Sequence, residues 1–176
     1  PSALTAKIRA EGMYNFGPSL SPNNAFYILQ GIETLSLRMK KHIENTKMML
    51  EFLKENESVS WLRHPDLEDH PDHKIAKKIL PLGSGSIIVF GIKGGRDAGK
   101  AFIENVKLSS HLANVGDAKT LLIHPGSTTH SHLSSEAMKM SGLTDDMIRL
   151  SVGLEDIEYI KIDFEKGFKA AAKISR

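Results

Sequence analysis

The sequence contains no cysteine, which excludes a disulfide framework and a thiolate metal cluster and is compatible with a reducing compartment. It has almost no charge imbalance: 23 Lys and Arg stand against 21 Asp and Glu, a formal +2. The two signs are interspersed, so no electrostatic stripe for nucleic acid or anionic lipid emerges. Long apolar runs are missing as well. Stretches such as 86–92 are far too short to span a bilayer, and no charged-then-apolar signal segment opens the chain. Repeats and low-complexity tracts are also lacking. The expectation is a cytoplasmic protein with no nucleic-acid or membrane partner. Pro1, not Met, is the first residue, which reads as processing or as a piece of a longer polypeptide.

What is present suffices for one core: 176 residues, 40% of them hydrophobic. Residues 1–17 read as a connector with a short helical run at 4–11. Ser21-Pro22 places an N-cap before a proline at the first helical position, and Phe26, Leu29, Ile32, Leu35 and Met39 recur at helical spacing, predicting a helix over 22–41. A second helix to about residue 54 follows, with Met48, Met49, Phe52 and Leu53 as its apolar face. Alternation over 58–63 predicts a strand with Val59, Trp61 and Arg63 on one side, then turns over 64–72 and a short helix at 74–80. The β-branched run 86–92 predicts a strand buried on both faces, followed by a helix at 96–106. Shorter elements are expected at 109–113, 120–123, 134–140 (helix) and 148–152 (strand), before a closing helix at 156–172. This order, without strict βαβ regularity, points to an α+β fold.

Three clusters invite a chemical reading and have plainer alternatives. Gly94-Gly95-Arg96-Asp97-Ala98-Gly99-Lys100 has phosphate-loop spacing between a strand and a helix, but Ala101 stands where a magnesium-binding hydroxyl is required, so it reads as a glycine turn into a helix. His111, His124, His130 and His132 are close enough to suggest zinc, yet no helical His pair with an intervening glutamate base accompanies them, and loop hydrogen bonding is the simpler account. The acidic run Asp66, Glu68, Asp69, His70, Asp72 and His73 reads as a solvated loop. Arg149 differs from these because it is embedded in the apolar strand 148–152. A guanidinium removed from water needs an anion, supplied either by an internal salt bridge or by a ligand carboxylate that it can grip in bidentate fashion; on an exposed strand edge it needs neither.

The segments 20–38, 112–130 and 148–156 together resemble the Cys/Met-metabolism family of pyridoxal-phosphate (PLP) enzymes, of fold type I. The first resembles the family's long connecting helix. The second, Leu-Ala-Asn-Val-Gly-Asp-Ala-Lys-Thr-Leu-Leu-Ile-His-Pro-Gly-Ser-Thr-Thr-His, and the third, Ile-Arg-Leu-Ser-Val-Gly-Leu-Glu-Asp, resemble its two C-terminal signatures. Asn114-Val115-Gly116 resembles the O-acetylhomoserine sulfhydrylase branch, whereas cystathionine synthase and methionine lyase branches usually have Ser-Leu-Gly; Gly126 stands where many relatives have Ala. The resemblance implies the C-terminal small domain of a transferase, a mixed sheet with helices on one face, preceded by a connecting helix. Residues 1–40 would be the tail of the large PLP-binding domain and that helix, and 41–176 the small domain.

By the same resemblance Arg149 grips the substrate α-carboxylate, Asn114 and the backbone at Val115 help seat it, and Thr128 and Thr129 line the approach. The implied reaction is γ-replacement: acetate leaves Cγ of O-acetyl-L-homoserine and sulfide or a thiol adds, giving L-homocysteine or methionine. The cofactor lysine is expected upstream, since Lys7, Lys40, Lys41 and Lys47 do not lie in its motif, so no catalytic, cofactor or metal residue is assigned here. A homo-oligomer, commonly a tetramer, and the N-terminal domain are the implied protein partners. The alternatives are another branch of the family, a non-catalytic carboxylate-binding module, and a hydrolase using the histidine loop.

Overall fold

A computed structural model of the chain describes residues 2–128 and 140–174. The chain divides into two compact units, Pro1–Ser36 and Leu37–Arg176. The first is helical: α1 (Ser2–Lys7), a π-helical turn (Ile8–Met13), α2 (Tyr14–Phe16) and α3 (Pro22–Glu33). Ser21 caps α3, its Oγ accepting from Asn24 N at 3.2 Å, and Pro22 occupies the first turn. None of these helices buries a residue; Phe26, Leu29 and Ile32 are 59, 60 and 57% exposed. The predicted helix over 22–41 breaks earlier than expected, at Thr34, and resumes as α4 (Leu35–Glu55). Gly31 and Thr34, two weak helix formers close together, account for the interruption.

The second unit, from Leu37 onward, holds the core. Its elements are the rest of α4, β1 (Val59–Arg63), α5 (His73–Ile79), β2 (Ile87–Ile92), α6 (Gly95–Asn105), β3 (Ser110–His111), β4 (Leu121–Ile123), β5 (Met147–Ser151) and α7 (Ile157–Ile174). Among the described residues the strands form one five-stranded sheet, ordered β1-β2-β5-β4-β3, with a single parallel pairing between β3 and β4. This is the α+β mixed sheet expected. The helix predicted over 134–140 falls almost wholly outside the described residues.

One face of the sheet is closed by helices. Ile88, Phe90 and Ile92 of β2, Ile148 and Leu150 of β5 and Leu122 of β4 are buried against Met49 and Leu53 of α4, Ala98 and Phe102 of α6, and Ile160, Phe164 and Phe168 of α7. Phe90, Phe102, Phe164 and Phe168 form a ring cluster, with centroids 4.8 Å apart for Phe102–Phe168 and 5.3 Å for Phe102–Phe164. Each such ring contributes about 2–3 kcal/mol by leaving water. The expectation that 86–92 is buried on both faces needs correction: Ile87 and Val89 are only half-buried, because among the described residues no helix of the core packs on the sheet's second face. The reading of β1 is corrected as well. A register shift between Val59 and Trp61 turns Val59 to the core side with Leu62, leaving Trp61 and Arg63 on the other face.

Two polar devices hold the loops. Asp163 of α7, 2% exposed, accepts from the backbone N–H groups of Lys107, Leu108 and Ser109 at 2.7, 3.0 and 3.0 Å and so fixes the turn between α6 and β3. Beyond β1, buried His64 accepts through Nδ1 from Asp66 N at 3.1 Å, and Asp66 in turn accepts from Ser84 Oγ at 2.5 Å. His73 closes the same loop on Pro65 O at 2.9 Å. Burial holds the His64 imidazole below its ordinary 6.5, opposed in part by the Asp66 carboxylate.

Replacing Asp163 by Ala strands three backbone donors, and the loss of charge-assisted hydrogen bonds is expected to cost about 3 kcal/mol, measured by urea denaturation. A cost under about 0.5 kcal/mol would show that the turn holds itself. For His64, the unfolded chain takes up its proton first as pH falls. The native state should therefore keep full stability above pH 6.5 and lose it as pH drops from 6.5 toward the depressed folded-state value. Thermal melts at pH 7.5 and about 5 should show a smaller acid-induced drop in His64→Gln than in the parent, and equal drops would remove His64 as the cause.

Candidate functional site

Arg149 sits in the middle of β5, the central strand, level with Val89 on β2 and Ile123 on β4. Its neighbours Ile148 and Leu150 are fully buried on the helical side, so strand alternation sends the guanidinium to the opposite face. There it is half-buried, and Nη2 donates to the Asn114 carbonyl at 3.3 Å. No carboxylate among the described residues lies within ion-pair distance of it. The described residues thus supply no internal salt bridge, and β5, paired to β2 and β4, is not an edge strand. Among the described residues one neutral carbonyl is the partner of this permanently charged five-donor fork, which leaves its other donors available to solvent or a ligand.

The loop bearing Asn114 is held by its own polar groups. Asn114 Oδ1 accepts from Val115 N at 2.9 Å, its Nδ2 donates to Asp117 Oδ2 at 3.3 Å, and Asp117 Oδ1 accepts from Lys119 N at 3.0 Å. The Lys119 N–H, then the Asn114 amide, hold the Asp117 carboxyl below the usual carboxylate range. Gly116, at φ +71°, supplies a backbone conformation that a side chain would strain. The structure therefore brings Asn114 to Arg149 through its carbonyl, while the Asn114 amide and the Val115 N–H are engaged within the turn. The Val115 side chain is 67% exposed beside them. Thr128 is exposed and donates from Oγ1 to His124 O at 2.9 Å; Thr129, His130 and His132 lie outside the described residues.

Contacts that the sequence did not signal bracket the entry to β5. Asp146 Oδ2 accepts from Trp61 Nε1 at 2.8 Å and from Ser60 Oγ at 3.0 Å. Gly91 underlies this cluster, where a Cβ would collide with all three groups. On the other side buried His124 contacts Asp145 O through Nε2 at 2.7 Å. These pairs are 21 to 86 residues apart in the chain, and no local pattern announces them.

The other clusters have local explanations. Gly94 and Gly95, at φ +99° and +66°, turn the chain into α6; Lys100 is exposed and sits 3.9 Å from Glu104. His111 binds Ile103 O and His124 binds Asp145 O, and among the described residues no three His, Asp or Glu side chains converge as a metal would need. Within the acidic run, Asp66, His64 and His73 close their own loop. The described residues do not fit the cofactor that the resemblance implies: none of their lysines is buried, and around Arg149 they build no phosphate cradle, only the contact to Asn114 O.

The sequence profile of the Cys/Met metabolism PLP-dependent enzyme family matches residues 3–169. O-acetyl-L-homoserine sulfhydrylase 1 of Thermus thermophilus is 46% identical over 164 residues, covering 93% of this chain and 39% of that protein. Homocysteine synthase of Schizosaccharomyces pombe is 43% identical over 163 residues, covering 93% and 38%. A crystal structure from Campylobacter jejuni, described as an O-acetylhomoserine (thiol)-lyase with a pyridoxyl-lysine, matches with a TM-score of 0.83 at 32% identity, covering 93% of this chain and 39% of that one. The chain spans about two fifths of the length of these relatives. Its mixed sheet is that of fold-type-I PLP enzymes. With the profile running over nearly all its length, the chain belongs to the Cys/Met-metabolism family of PLP-dependent enzymes.

Proposed function

We propose that this chain is the carboxylate-recognising C-terminal part of an O-acetyl-L-homoserine sulfhydrylase, which replaces the acetate of its substrate by sulfide or a thiol to yield L-homocysteine or methionine. The observation that carries the reading is Arg149: a half-buried guanidinium on the central strand, anchored to Asn114 O and without a carboxylate among the described residues. The names of the relatives and the Asn114-Val115-Gly116 sequence favour this branch over other members of the family.

In this reading Arg149 fixes the substrate α-carboxylate by paired, charge-assisted hydrogen bonds. Asn114 and the backbone at Val115 seat the same group once their turn adjusts, Thr128 lines the approach, and Thr129, outside the described residues, is assigned to substrate binding by the family resemblance alone. Fixing the carboxylate fixes the direction of the Cα–H bond, which converts an encounter into an oriented complex. Pyridoxal phosphate would be held by residues outside this chain, where it would supply the electron sink that such chemistry at Cα needs. Residues 1–40 belong with that domain, which covers the exposed Phe26, Leu29 and Ile32, and 41–176 form the small domain of a cytoplasmic homotetramer.

Replacing Arg149 by Ala in the full-length enzyme is expected to raise KM for O-acetyl-L-homoserine by roughly 30- to 150-fold, in line with charge-assisted bonds worth about 2–3 kcal/mol, while cofactor absorbance persists. Unchanged KM would remove Arg149 from carboxylate recognition.

A further inference from the structure

The glycine-rich turn Gly94–Lys100 matches no phosphate chemistry, yet its side chains reach the loop beside Arg149. Arg96, one residue into α6, donates from Nη2 to Gly126 O at 2.9 Å. Gly99, on the next turn of α6, lies against His124; a Cβ there would stand 2.9 Å from the ring's Cδ2 and Nε2. That ring is fully buried and contacts Asp145 O, in the turn that enters β5. His124 itself follows Ile123, the residue level with Arg149. One helix start therefore holds both ends of the bracket: Gly126 by hydrogen bond, and His124 by a contact that tolerates no side chain.

We propose that Arg96 is a positioning residue for substrate carboxylate recognition. With Gly99 and His124 it sets the loop 124–128 and, through Asp145, the entry of β5, and so determines how Arg149 is presented. Arg96 is mostly exposed and joins no carboxylate among the described residues, so its bond to Gly126 O is not part of a surface ion pair. The geometry explains why three glycines and an arginine stand at this spacing without a nucleotide: Gly94 and Gly95 turn the chain into the helix, Arg96 holds the loop, and Gly99 admits the imidazole. This inference rests on the carboxylate role proposed for Arg149.

The test compares four variants of the full-length enzyme. Arg96→Ala should raise KM for O-acetyl-L-homoserine about five- to tenfold, the loss of one hydrogen bond, with kcat altered less than about twofold. Arg96→Lys, which keeps a donor, should recover most of the loss, and Lys100→Ala on the same helix should leave both constants unchanged. Amide hydrogen exchange should show faster exchange at Thr128 and Met147 in Arg96→Ala and unchanged exchange in α7. A parental KM in Arg96→Ala, beside a raised KM in Arg149→Ala, overturns the positioning role and leaves the carboxylate grip standing. Parental KM in both variants overturns both. Equal losses in kcat and in α7 protection would make Arg96 a residue of general stability and would also overturn the proposal.

Discussion

Strand β5 is hydrogen-bonded on both edges, antiparallel to β2 on one side and to β4 on the other, and the rest of the second unit is arranged around that constraint. A strand paired on both sides cannot rotate, so the alternation of its side chains becomes a fixed partition. Ile148 and Leu150 go to the helices and Arg149 goes to the open face. A charged group is tolerated in so apolar a strand because, among the described residues, no helix of the core packs on that second face.

The helical side supplies the rigidity. The four rings of Phe90, Phe102, Phe164 and Phe168 lock β2, α6 and α7 into one block, and a close-packed block transmits displacement rather than absorbing it. Asp163 then attaches the chain leaving α6 to α7, which carries the fixed geometry outward toward the Asn114 loop. On α4, Asn45 donates to Gly153 O and Glu155 O at 3.0 and 2.8 Å, and His42 contacts Val152 O at 2.7 Å. The far end of β5 is thereby tied as firmly as its entry is by His124 and Trp61. Buried backbone carbonyls that leave the sheet at Val152 thus find partners from a helix more than 100 residues earlier in the chain.

Much of this was legible in the residues. The cap at Ser21-Pro22, the β-branched run of β2 and the 3.6-residue periodicity of α6 and α7 are local patterns, and each encodes its element because the physics is local: hydrogen bonds a few residues apart and one apolar face. Arg149 was legible for the same reason, as a lone charge in an apolar strand. The misreadings were places where a tertiary contact decides. Val59 obeys the alternation expected of β1 until a bulge turns it to the core, and the second face of β2 is apolar enough to look buried from sequence although this chain's helices leave it half-open.

The sequence by itself therefore determined the fold class, the order of elements and the place of a lone arginine within an apolar strand, since each follows from composition and spacing within a short window. Only the tertiary structure decided that Arg149 finds Asn114 O and no carboxylate among the described residues, that Asp146 is shared by Trp61 and Ser60, and that Gly99 is small because His124 must fit against it. Those are encounters between residues 21 to 86 positions apart, and sterics at such separations exist only once the sheet has closed.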